Sequence, residues 1–174
     1  MCDLHSFELH LVYREQEADS GVSRDCLRGH PEINQRSRQR LVEWLEEVRE
    51  EYNIRVETLY LAVNLIDRYV TATVGLKLVR FQLVGVAGFL LASKYNDQIH
   101  LSAQQLSEAT SNAYRPCEVV TMEMVMTKVL GYKIGMPTVC TFLHQYLDIW
   151  GRFTKQLGGT RGEDVRAFAS YIAK

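Results

Sequence analysis

Between Phe81 and Ala92 the chain offers a single polar side chain, Gln82. Such a run needs apolar surroundings on every side. It is far shorter than the ~20 residues that a membrane span requires. Its length and its few β-branched residues disfavour a strand. What remains is a helix over residues 78–95 that is apolar all round, and a helix of that kind sits at the centre of other helices. Gly85, Ala87, Gly88 and Ala92 would let those neighbours approach closely. With three prolines in 174 residues, little interrupts further helices, and the expected fold class is all-α.

The flanking sequence supplies the surrounding helices. Residues 34–52 place Leu41, Leu45, Val48 and Tyr52 at i, i+4, i+7 and i+11, one helical stripe, with Asn34 as its N-cap. Residues 56–71 repeat the pattern with Leu59, Val63, Ile66 and Val70, and Gly75 lies soon after as punctuation. Ser102 followed by Gln105 makes a capping box for a short helix ending near Thr110. Pro116 suits the first turn of another helix, where its missing N–H costs nothing. That helix is expected to turn Met122, Val125, Met126 and Val129 inward and to stop at Gly131.

Outside this group, Phe7 to Glu17 carries a short stripe of Phe7, Leu11 and Tyr13. Tyr132 to Pro137 reads as a linker, and Pro137 opens a helix through about Trp150. Gly158, Gly159 and Gly162 mark a loop before a final stripe of Val165, Phe168, Ala169 and Ile172. No internal repeat is visible.

Composition removes several classes of function. With 47% apolar residues the chain can bury about two-thirds of its unfolded surface. Its 20 basic and 21 acidic residues leave no basic footprint for nucleic acid, and the arginines at 36, 38 and 40 read as helix-surface charge plus one internal pair. Cys2, Cys26, Cys117 and Cys140 show no ligand spacing. With no secretory signal, reduced thiols in a soluble intracellular protein are expected, in nucleus or cytoplasm, with no membrane partner. His5, His10, His30, His100 and His144 lack metal-ligand spacing, so no metal is expected. There is no GxSxG, no GxxxxGK[ST] and no kinase signature. Glu46–Glu47 and Glu50–Glu51 lie adjacent on a solvated helix face rather than opposed across a site. The chain reads as non-enzymatic, with no cofactor.

Four blocks then fall in order: RQRLVEWLEEVREEYNIRV, ETLYLAVNLIDRYV, FQLVGVAGFLLASKY and MEMVMTKVL. Together they resemble the cyclin box, whose pattern is R…LVxWLxEV, ETLxLAVNxxDRY, QLVGVAxxLLASKY and MExxxxKVL. The phrase HPEINQRSRQRLVEWL is nearer the A- and B-type cyclins than the transcriptional ones. The resemblance implies a five-helix cyclin box over 34–135, preceded by an N-terminal segment with a short helix (1–33). A linker helix and the start of a truncated second repeat would come after it (136–174).

The function implied is that of a regulatory subunit in cell-cycle control. It would bind and activate a cyclin-dependent protein kinase by positioning the kinase's αC helix. A cyclin-fold adaptor that binds a protein without activating a kinase is the alternative. Lys94 and Glu123 would grip the kinase, with Tyr95, Leu90, Asp97, Thr127 and Tyr132 around them. Tyr95 and Tyr132 stand where phenylalanine is common in the family, and Thr127 stands where leucine is usual. Arg38 and Asp67 would pair inside the box, with Leu83 in its core. Leu41, Trp44, Glu47 and Gln82 match a shallow groove that docks substrates and inhibitors bearing an arginine–x–leucine motif. Ser37 and Arg40 depart from it, since both positions are usually apolar, and Arg40 would repel a basic motif. Arg24 to Leu27 reads RxxL, the minimal core of a destruction signal, a pattern common by chance.

Overall fold

Local signals set most of the helix ends. In the computed structural model, which describes residues 3–18 and 25–156 (side chains of 8–18 and 25–152), seven helices follow one another. They are α1 Asp3–Ala18, α2 Gln35–Glu51, α3 Val56–Ala72, α4 Leu78–Asn96, α5 Ala103–Ala109, α6 Pro116–Val129 and α7 Val139–Gln156. No strand occurs among the described residues. Asn34 caps α2 by accepting the Ser37 backbone N–H at 3.0 Å, while the Ser37 hydroxyl accepts the Asn34 N–H at 2.9 Å. Ser102 and Gln105 form the same reciprocal box at α5, and Pro116 opens α6.

The helices divide into two units, α2–α6 within Ser20–Met136 and α1 with α7. In the first, α4 touches α2, α3, α5 and α6, the arrangement expected of a helix with no polar face. By length and composition α4 is apolar enough to cross a membrane, but 67% of its apolar window is buried among its neighbours. Two glycines explain the close packing. A Cβ at Gly85 would meet Leu41 Cδ1 at 2.6 Å, and one at Gly88 would meet Ile66 Cγ1 at 2.9 Å and Met126 Cε at 3.4 Å. Bare backbone on two sides of α4 thus admits α2 on one and α3 with α6 on the other.

Two stripes differ from expectation. On α6 the inward residues are Val119, Met122 and Met126, continued by Leu130, whereas Val125 and Val129 are 40% and 41% exposed. Starting at Pro116, the core stripe runs 119, 122, 126, 130, and Val129 and Val125 sit about 65° and about 105° around the helix from its centre. On α3, Leu61, Ala62, Leu65, Ile66, Tyr69 and Val70 are buried while Leu59 and Val63 are only half-buried. This helix packs on α2, α4 and α6 at once and so buries a broad face.

Residues 25–33 are fastened over the α3–α4 connection. Gly75 N–H donates to the Gly29 carbonyl at 2.9 Å, where Gly29 needs its φ of +99°. Buried His30 accepts the Leu76 N–H on Nδ1 at 2.9 Å, so its hydrogen is on Nε2, which donates to the Val70 carbonyl at 2.9 Å.

Within the second unit, α1 meets α7 through His10 and Tyr13. His10 Nδ1 lies 3.0 Å from Gln145 Oε1, and its ring centroid lies 5.9 Å from that of Phe142 and 5.7 Å from that of Tyr146. Tyr13 meets Phe142 edge-on at 6.3 Å. Leu11, expected on the packing stripe, is exposed. The side chain of Phe7, the Gly158–Gly162 loop, the final stripe from Val165 and Arg24 of the RxxL pattern lie outside the described residues.

Candidate partner-binding face and groove

Lys94 lies in the last turn of α4, where a cation is favoured by the helix dipole. Its Nζ donates to both carboxylate oxygens of Glu123 on α6, each at 2.8 Å. The pair is lopsided: the lysine side chain is 41% exposed and the glutamate 11%. Glu123 is therefore held in the protein by its partner, while the ammonium faces outward.

An apolar surface surrounds this pair. Tyr95 is exposed, and its ring lies against Gly135, where any Cβ would run into it. Tyr132 is also exposed and sits at a φ of +62°, uncommon for an aromatic residue and fixed here by the turn after α6. Thr127 turns its hydroxyl back to the Glu123 carbonyl at 2.8 Å and so presents its methyl. Val120 and Met124, on the same flank of α6 as Thr127, are exposed. Sequence reasoning missed both. Their signal was a second row of Val120, Met124 and Thr127 (i, i+4, i+7) beside the core row.

Two residues assigned to this face belong elsewhere. Leu90 is 0% exposed, because it lies in the stretch of α4 that the other helices enclose, and it supports the face from beneath. The Asp97 carboxylate is spent internally, accepting Arg55 Nε and Thr58 Oγ1 at 3.0 Å each. Arg55 Nη2 also donates to the Asn96 carbonyl. The end of α4 is thereby tied to the start of α3, which holds Lys94 and Tyr95 in place.

Arg38 on α2 donates to both oxygens of Asp67 on α3, Nε to Oδ1 at 2.8 Å and Nη2 to Oδ2 at 2.7 Å. This bidentate fork raises the guanidinium pKa above its ordinary value, chiefly through the hydrogen bond. Cys26 Sγ lies 3.9 Å from the same carboxylate, and burial together with that charge pushes its thiol up. None of the described cysteines, 26, 117 and 140, forms a disulfide.

Between α2 and α4 lies a concavity of about 250 Å³ lined by Ser37, Arg40, Leu41, Trp44, Leu78, Phe81 and Gln82. Three of the expected groove residues, Leu41, Trp44 and Gln82, line it. Glu47 does not: it is exposed, one turn beyond Trp44 and outside the lining. Ser37, where an apolar wall is usual, has its hydroxyl engaged in the α2 capping box.

Comparison with known proteins identifies the family and the fold. Residues 8–135 match the model of the cyclin N-terminal domain. Cyclin-A1 of Mus musculus is 39% identical over 140 residues, covering 80% of this chain and 33% of that protein. Cyclin-A2 of Homo sapiens is 38% identical over 144 residues, covering 83% and 33%. The chain thus spans about a third of the length of these relatives. The crystal structure of a viral cyclin from herpesvirus saimiri superposes with a TM-score of 0.69 at 15% identity, covering 90% of this chain and 67% of that one. That similarity is one of fold. By its matched domain and its A-type relatives, the chain belongs to the cyclin family.

Proposed function

We propose that this chain is a regulatory subunit of a cyclin-dependent protein kinase and that the surface around Lys94 and Glu123 binds the kinase. The observation that carries the reading is the Lys94–Glu123 pair, set among exposed Tyr95, Tyr132, Val120 and Met124. An apolar centre rich in aromatics beside a partly covered charge pair is the make-up of a protein interface. The charges fix register, and the apolar groups supply affinity.

On this reading the face takes the αC helix and presses it inward, completing the kinase's own lysine–glutamate pair and freeing its activation loop. Activation follows only to the extent that the face binds the active kinase conformation more tightly than the inactive one. Nothing in the chain needs to touch ATP, and the Arg38–Asp67 pair serves to hold α2 on α3. The groove between α2 and α4 is assigned as a docking site for a second protein. This role places the chain in cell-cycle control, in nucleus or cytoplasm.

One observation favours the adaptor reading. Thr127 spends its hydroxyl on its own helix and leaves a short side chain at the interface. A pull-down with monomeric cyclin-dependent kinases, followed by a kinase assay, separates the two. Binding with activation, both lost in Lys94→Ala/Glu123→Ala, supports the regulatory subunit; binding without activation supports the adaptor.

A further inference from the structure

Residues 25–33 cross the α3–α4 connection as a strap, and His30 is its buried anchor. Within this stretch only His30 and Ile33 are buried; Cys26 and Leu27 are half-buried and the rest exposed. Ile33 belongs to the core and adjoins the α2 cap, so it marks the fixed end. Ahead of it, the strap receives three backbone N–H groups. Gly75 donates to the Gly29 carbonyl at 2.9 Å, Leu76 to His30 Nδ1 at 2.9 Å, and Leu78 to Glu32 Oε2 at 3.1 Å. One bond runs the other way, from His30 Nε2 to the Val70 carbonyl at 2.9 Å.

Only a neutral imidazole can make both of its bonds. A proton added at Nδ1 turns the acceptor into a donor and sets it against the Leu76 N–H. It also places a charge on a residue that is 2% exposed. A released strap meets neither penalty, because its imidazole faces water. The charged groups on the surrounding elements are Asp25, Arg28 and Glu32 on the strap, Asp67 and Arg68 on α3, and Lys77 and Arg80 at the start of α4. Among the described residues no carboxylate lies within ion-pair distance of the ring. Glu32 keeps its charge while it accepts the Leu78 N–H, so its effect has to be separated from that of His30.

We infer that residues 25–32 form an acid-released strap: neutral His30 locks it across the α3–α4 connection, and protonation of the ring frees it while the helices stay packed. The helices need not open with it, since a segment with few buried groups opens at a lower free energy than the core. The direction follows from which form takes up the proton. The released form does so more readily, so opening is suppressed at neutral pH and favoured as pH falls. The inference rests on the fold of α2–α6 and is independent of the kinase reading.

The test is amide hydrogen exchange by NMR on the full chain, corrected for the intrinsic pH dependence of exchange. It would run from about pH 7.5 to about pH 5, across the range where histidine ordinarily titrates. Gly75 and Leu76 should lose protection together, by an amount approaching about tenfold per pH unit at the acid end, the limit for uptake of one proton. Val86 and Phe89 in the middle of α4 should keep theirs. Glu32→Gln should show the same loss, and His30→Gln should show no pH dependence at Gly75. A ring-nitrogen spectrum of the histidine-labelled parent supplies a second readout that needs no variant. It should show the Nε2–H form at neutral pH and the imidazolium appearing as protection is lost.

An imidazolium at His30 with Gly75 and Leu76 still protected would overturn the inference, whatever the variants do. So would equal loss of protection in Val86 and Phe89, which would make the opening global. Loss that vanishes in Glu32→Gln, or persists unchanged in a folded His30→Gln, would assign the acid response to another group and contradict it as well.

Discussion

Among the ion pairs that tie distant parts of this bundle together, Arg38–Asp67 and Lys94–Glu123 each join residues 29 apart in sequence. Both are two-pronged with bonds of 2.7–2.8 Å. Geometry alone does not distinguish them; their surroundings do. Cys26 lies against the first, and both its side chains are largely covered, at 24% and 15% exposure. The second turns its lysine outward, with exposed Tyr95 next to it in sequence and exposed Val120 and Met124 on the helix that carries Glu123. One pair has its partners already. The other lies beside exposed apolar side chains, so a pair of the same make serves the fold in one place and is proposed to serve a partner in the other.

The largest effect should come from breaking the inner pair. Asp67→Ala leaves the Arg38 guanidinium partly buried without its acceptor, and urea unfolding should show a loss toward the lower end of ~3–5 kcal/mol, given the residual exposure. Helix packing comes next. Gly88→Ala forces a methyl against Ile66 and Met126 and should cost about 1–3 kcal/mol by the same measurement. The outer pair should behave in the opposite way. Lys94→Ala/Glu123→Ala removes both charges, strands neither, and should change stability by about 1 kcal/mol or less because the lysine is so exposed. If it destabilises as much as Asp67→Ala, the contrast between the pairs fails.

The smallest effect concerns the cap of α6, the helix that carries Glu123. Glu118 accepts the Arg115 backbone N–H at 2.9 Å, and that bond, then the Arg115 side chain, holds its carboxyl below the ordinary glutamate range. A depressed folded-state pKa means stability that is present above the unfolded value and lost as pH falls through the folded one. Stability of the parent should therefore fall slightly more steeply below the usual glutamate range than that of Glu118→Gln. Parallel curves from urea titrations across that range would show that the cap contributes nothing.

How much of this was legible in the sequence depends on how local each signal is. Asn34, Ser102 and Pro116 act on backbone groups within three residues, and the helices begin where these residues place them. The all-apolar run of α4 set its central position for the same reason, since no face of it could meet water. The errors fall where partners lie far along the chain. Val125 and Val129 fit a helical stripe as well as Val119 and Met122 do, and only the placement of α4 decides which row turns inward. Asp97 reads as a rim charge until Arg55 and Thr58, about forty residues earlier, are seen to hold it. His30 gave no signal at all, because its role depends on two backbone groups of the α3–α4 connection.

The central claim, that the outer pair and its apolar surround engage a kinase, is tested most directly by one paired measurement. Affinity for a panel of monomeric cyclin-dependent kinases, and the activity of each bound kinase, would be compared between the parent chain and Lys94→Ala/Glu123→Ala. Capture and activation of at least one kinase by the parent are expected, with loss of both in a variant that unfolds at nearly the same urea concentration. Undiminished capture by that variant, or no capture by the parent, would contradict it.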